Sequence, residues 1–158
     1  MSERAQTAAG EGAPEERLTD ELLERLLASA TPEAYLDEAA GATEDRSLAE
    51  YAHALLEEKG IKRADAIRAA GLNSTFGYQI FQGTRRPARD SAIMLAFGMG
   101  CSLRETQRLL RLAGVAELWC RLRRDAIIIF CLEHGLTREQ ADDELFRLGE
   151  KTLLSEDG

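Results

Sequence analysis

The chain has 158 residues, 44% of them hydrophobic and 30% charged, enough for one good core with appendages. Its longest apolar run, Ala126 to Leu132, is far shorter than the about 20 residues of a membrane span. Met1 to Pro14 lack the apolar stretch of a signal peptide, so no membrane association and a cytoplasmic location are expected.

The net charge of −8 disfavours a nucleic-acid partner only until it is divided along the chain. Residues 1–58 carry −11, residues 59–125 carry +8 and residues 126–158 carry −5. A basic middle between acidic ends is a local electrostatic footprint, and the local field guides phosphate binding more than the total does.

Residues 1–16, rich in Ala, Gly and Glu, cannot bury enough surface to offset ordering and read as a disordered tail. A helical extension occupies 17–41. Leu18, Leu22, Leu23, Leu26 and Leu27 form one stripe, and Thr31-Pro32-Glu33 starts a short helix to about Ala40. Ser47-Leu48-Ala49-Glu50 is a capping box, and its helix stops at Gly60. Helices follow from Lys62 to Ala70, from Asn73 to Gln82 and from after Pro87 to Gly98 or Gly100. Further helices are expected from the box Ser102-Leu103-Arg104-Glu105 to Ala113, from Leu118 to His134 and from Thr137 to Leu148. Ala126 to Phe130 is β-branched, but a lone strand among helices has no partner, so it reads as buried helix. Residues 151–158 read as a flexible tail. The fold class is all-α.

The informative segment runs from Ile61 to Pro87. Two helices of about nine residues meet at Ala70-Gly71-Leu72, and the second ends at Ile80-Phe81-Gln82-Gly83-Thr84-Arg85-Arg86-Pro87. A small residue, Gly and an aliphatic at the turn, then an aliphatic, Gly, a basic pair and Pro, resemble the helix-turn-helix of the Cro and phage-repressor (XRE) family of bacterial regulators. The resemblance spans about residues 47–112. It is closer still to a branch with Phe-or-Tyr-Gly-Tyr-Gln-Ile-Phe in the recognition helix and Arg-Arg-Asp-Ala-Ile-Ile-Ile-Phe near the C-terminus.

The resemblance implies a lambda-repressor-like bundle over 47–113 with added N- and C-terminal helices. It also implies a sequence-specific transcriptional regulator bound to double-stranded DNA. The recognition helix, about 73–82, would enter the major groove and read bases with Ser74, Thr75, Tyr78 and Gln79; a Gln can bond adenine N6 and N7 together. Lys62, Arg63, Thr84, Arg85 and Arg86 would contact phosphates, contributing affinity without sequence information.

Two positions depart from the family, where Gly77 is normally Ile or Val and Phe81 is often polar. Either Phe76 and Ile80 fill the space left by Gly77, or Phe76, Tyr78 and Phe81 make a protein-binding surface. Family members commonly act as dimers, so a homodimer is expected.

The surplus segment 114–150 is rich in apolar residues and can extend the core, form a dimer surface or dock a protein partner. Arg121, Arg123 and Arg124 within it can add phosphate contacts or pair with the acidic N-terminal helices. Cys101, Cys120 and Cys131 read as small buried hydrophobes, His53 and His134 as isolated side chains, and Asp142-Asp143-Glu144 as a solvated face. No metal, cofactor or catalytic constellation is expected, so the chain does not read as an enzyme. The alternative to DNA binding is a helix-turn-helix-derived protein-interaction module: a partner, an inhibitor or an antitoxin-like protein.

Overall fold

The computed structural model describes residues 14–38 and 46–154, in two compact units divided between Asp45 and Arg46. All regular structure among the described residues is helical, and none of these helices is long and apolar enough to cross a membrane.

The first unit holds α1 (Pro14–Ala28) and α2 (Pro32–Glu38). The first helix starts at Pro14, inside the stretch read as tail; residues 1–13 lie outside the described residues, as do 39–45. Thr31 caps α2, its Oγ1 accepting the Ala34 N–H at 3.1 Å. Leu23, Leu26, Leu27 and Leu36 remain exposed.

In the second unit the caps at Ser47, Gly60, Asn73, Ser102 and Thr137 fall where the sequence places them. α3 (Leu48–Lys59) starts at Ser47, whose side chain accepts the Glu50 N–H, and ends at Gly60 with φ +66. α4 is Arg63–Ala70, α5 is Ser74–Gln82 and α6 is Arg89–Gly98. α7 (Leu103–Ala113) and α9 (Arg138–Arg147) open with complete capping boxes at Ser102/Glu105 and Thr137/Gln140. α8 is Arg123–Glu133 and contains Ile127, Ile128 and Ile129, a helix rather than a strand as expected, but it is buried on one face only: Ile128 is buried while Phe130 is exposed.

α6 is the hub, because Ala92 through Phe97 are all buried. One of its faces joins Tyr51, Leu55, Ile67, Ile80, Phe81 and Leu109. The other joins Leu110, Leu118, Ile128, Cys131, Leu145 and Leu153. The C-terminal helices therefore extend the core of the second unit.

Four expectations are corrected here. The helix expected from Leu118 begins at Arg123, because Gln107 takes both polar groups of Leu118: its Oε1 accepts the Leu118 N–H at 2.7 Å and its Nε2 donates to the Leu118 carbonyl at 2.8 Å. Residues 151–154 are not a loose tail, since Leu153 is 3% exposed and its N–H donates to Asp142; residues 155–158 lie outside the described residues. Asp142 is buried rather than solvated, paired with Arg138 and accepting the N–H groups of Leu153 and Leu154. Cys101 and Cys131 are buried, but Cys120 is exposed. Burial, reinforced by the Glu105 charge, pushes the Cys101 thiol up to about 12.

Candidate nucleic-acid interface

α4 and α5 meet at Gly71, whose φ of +78 a side chain would strain. The Arg138 guanidinium of α9 covers this turn: a Cβ at position 71 would stand 3.0 Å from its Nε and Nη2. Arg138 is held by Asp142 at 2.8 Å, while its buried Nε has no hydrogen-bond partner among the described residues.

Asn73 caps α5, its side chain accepting the Phe76 N–H at 3.2 Å. The buried face of α5 is Gly77, Ile80 and Phe81. A Cβ at Gly77 would stand 2.6 Å from Ile67 Cγ2 and 2.8 Å from Ile67 Cγ1. The space that Gly77 leaves is thus filled by Ile67 of α4, not by Phe76 and Ile80. Phe81 is 1% exposed and Phe76 is half-buried, so the α5 aromatics do not form one protein-binding surface. His53 is not isolated either. Its Nε2 donates to the Phe81 carbonyl at 3.0 Å, and its ring meets the Phe81 ring edge-on.

The opposite face of α5 is polar. Ser74 and Thr75 are exposed, Tyr78 and Gln79 half-exposed, and Gln82, seven residues after Thr75, shares the face. The position of Gln82 follows from that spacing alone, a signal available in the sequence. Arg63 lies over the Tyr78 ring, 4.7 Å from its centroid, and Arg85 over the Phe76 ring at 5.3 Å. Both cations are thereby laid along the flanks of α5.

Lys62, Arg63, Arg85 and Arg86 are exposed, and none of them makes an ion pair among the described residues. Thr84 is exposed, but its hydroxyl donates to the Gln79 carbonyl at 3.3 Å, closing the end of α5. Other arginines are committed to carboxylates. Arg123, though exposed, binds Glu150 at 2.8 Å and Arg124 binds Asp90 at 3.0 Å, which leaves Arg121 as the cation of that trio with no ion pair among the described residues.

The residues that sequence reasoning did not single out are Arg89 and Asp125, which pair at 2.7 Å with Asp125 only 2% exposed. Burial alone would raise the Asp125 carboxyl. The Arg89 hydrogen bonds, the Trp119 N–H and the Arg89 and Arg124 charges outweigh it and hold the group below the ordinary carboxylate value. Their 36-residue separation leaves no periodic signal.

No protein-family model matches this chain, and no curated protein or solved structure is found to be similar to it.

Proposed function

We propose that α4 and α5 form a helix-turn-helix of the Cro and phage-repressor type, within a lambda-repressor-like bundle that the C-terminal helices extend. On this reading the chain is a sequence-specific DNA-binding transcriptional regulator, with α5 in the major groove. The observation that carries it is the set of four exposed cations, Lys62, Arg63, Arg85 and Arg86, beside the polar face of α5, with no carboxylate partner among the described residues. Cations left unpaired on one face supply the counterion release that dominates affinity for a duplex. Ser74, Thr75, Tyr78 and Gln79 then stand where side chains reach base edges, and Gln79 has the bidentate chemistry that selects adenine. Thr84 supports the end of the helix, with its carbonyl-bonded hydroxyl left to accept rather than donate.

The test is genome-wide binding by the tagged chain, followed by affinity for the recovered sites as salt is raised. A short recurring near-palindromic site is expected, as is a steep fall of affinity with salt. Arg85→Ala/Arg86→Ala should weaken binding to all sequences alike. An undiminished double variant would sink the assignment of that pair.

A second reading, a protein-interaction module, draws on the C-terminal helices. A groove of about 350 Å³ lies between α8 and α9, lined by Ile127, Phe130, Glu144, Arg147 and Leu148 among others. Trp119, Leu122 and Phe130 are exposed close by in the chain. A homodimer or another protein docking through these helices is compatible with DNA binding through α5. Failure to enrich any DNA, together with one stoichiometric partner retained after nuclease treatment, would favour this reading alone.

A further inference from the structure

Two Arg-Asp dipeptides in this chain bind each other crosswise. Arg89-Asp90 opens α6, and Arg124-Asp125 lies in the first turn of α8. Arg89 Nη1 and Nη2 donate to the two Asp125 carboxylate oxygens at 3.1 and 2.7 Å. Arg124 Nη1 and Nη2 donate to the two Asp90 oxygens at 3.0 and 3.1 Å. Both contacts are fork-on-fork pairs, which fix orientation as well as distance.

The Arg89–Asp125 pair also holds the loop between α7 and α8. Arg89 Nε donates to the Ala116 carbonyl at 2.9 Å and Nη2 to the Glu117 carbonyl at 3.0 Å. Asp125 accepts the Trp119 N–H at 2.9 Å. Residues 116–119 are therefore held by this ion pair together with the two Gln107 hydrogen bonds to Leu118. This loop starts at the Gly114 turn, φ +74, and Arg86 rests against that turn: a Cβ at position 114 would stand 3.3 Å from Arg86 Nη1. Arg86 has no ion pair among the described residues, and buried Pro87 follows it. With no charge partner among the described residues, its guanidinium is placed by the surface beneath it. That surface is the Gly114 turn, capped onto α7 by its own N–H and leading into the loop that Arg89 and Asp125 help to hold.

We propose that Asp125, buried and unable to touch a nucleic acid itself, is a positioning residue for Arg86, acting through Arg89 and the 114–119 loop. The inference rests on the DNA-binding reading above. It makes the C-terminal extension part of the nucleic-acid interface rather than an appendage to it.

The experiment measures binding of the full chain to a mixed-sequence duplex of about 30 base pairs across about 50 to 200 mM salt, the range in which phosphate contacts show. The parent, Asp125→Asn, Arg86→Ala and the double variant are compared, with thermal melting recorded for each. Each single variant is expected to lower the slope of log K against log salt by about 0.9, the share of one phosphate contact. The double variant should lower it no further, as expected of residues acting in series. A parental slope in Asp125→Asn, or losses that add in the double variant, would overturn the proposal while leaving the DNA reading standing. A merely structural role would lower the melting temperature and leave the slope alone. If Asp125→Asn does not fold, Arg89→Lys is read in the same way, since a lysine keeps the charge but cannot bridge Asp125 and two carbonyls. A parent whose binding ignores salt would overturn the DNA reading and this inference together.

Discussion

Ile67 on α4 occupies the space where a side chain at Gly77 on α5 would stand. The 2.6 Å separation between a Cβ there and Ile67 Cγ2 is closer than side-chain carbons approach. Gly77→Ala gains about 1 kcal/mol of helix propensity. Overpacking a filled core costs about 1 to 3 kcal/mol, and here the obstacle is a branched side chain, 2% exposed within the core. The expected outcome in urea unfolding is a net loss of about 1 kcal/mol or more. Ile67→Ala combined with Gly77→Ala should be less unstable than the sum of the two single changes. A Gly77→Ala variant as stable as the parent would show that α4 and α5 are not in contact as described.

Leu153 sits beyond the last helix yet belongs to the core with Ile128 and Leu145. Its N–H donates to Asp142 at 2.6 Å, so the backbone and the side chain are both engaged. Leu153→Ala is expected to cost about 3 kcal/mol, as for other buried leucines. Leu154→Ala, at a position 42% exposed, should cost less than about 1 kcal/mol. Equal effects at the two positions in denaturant melts would contradict the burial of Leu153.

The lowered Asp125 carboxyl gives stability a defined response to acid. A group whose folded value lies below its unfolded value of 3.8 contributes in full above that value. The contribution is lost as pH falls through the folded value. Asp125→Asn, which leaves the Arg89 charge poorly matched, should cost about 3 kcal/mol at pH 7. The parent and variant melting curves should then converge as the pH is taken below about 4. A gap between them that stays constant down to acid pH would show that the Asp125 charge is not what holds the loop.

Local signals carried much of the fold. Ser102, Thr137 and Asn73 cap helices because their short polar side chains reach backbone N–H groups three residues on. The glycines at 60, 71 and 83 take the left-handed conformation that ends a helix. The exposed face of α5 follows from helical period, and the exposed cations beside it follow from the charge block. What the sequence did not disclose depends on pairings across long separations. The segment from 118 to 122 has helical composition, but Gln107 takes the Leu118 backbone groups. Arg124 looks like a surface cation, but Asp90 claims it across 34 residues. Gly77 looks like a defect in a helix until Ile67 is placed against it.

Arg138 lies over the Gly71 turn, and that contact bears on how this chain can be taken apart. A fragment ending at Ala113, the natural cut suggested by the helix pattern, would strip the lid from the α4–α5 corner. It would also leave one side of α6, including Ile93 and Phe97, facing water. The smallest transplantable piece is therefore 46–154. A redesigned α5 surface is better reached by exchanging positions 74, 75, 78 and 79 in place than by grafting the helix pair into another host. The corner travels only with its lid.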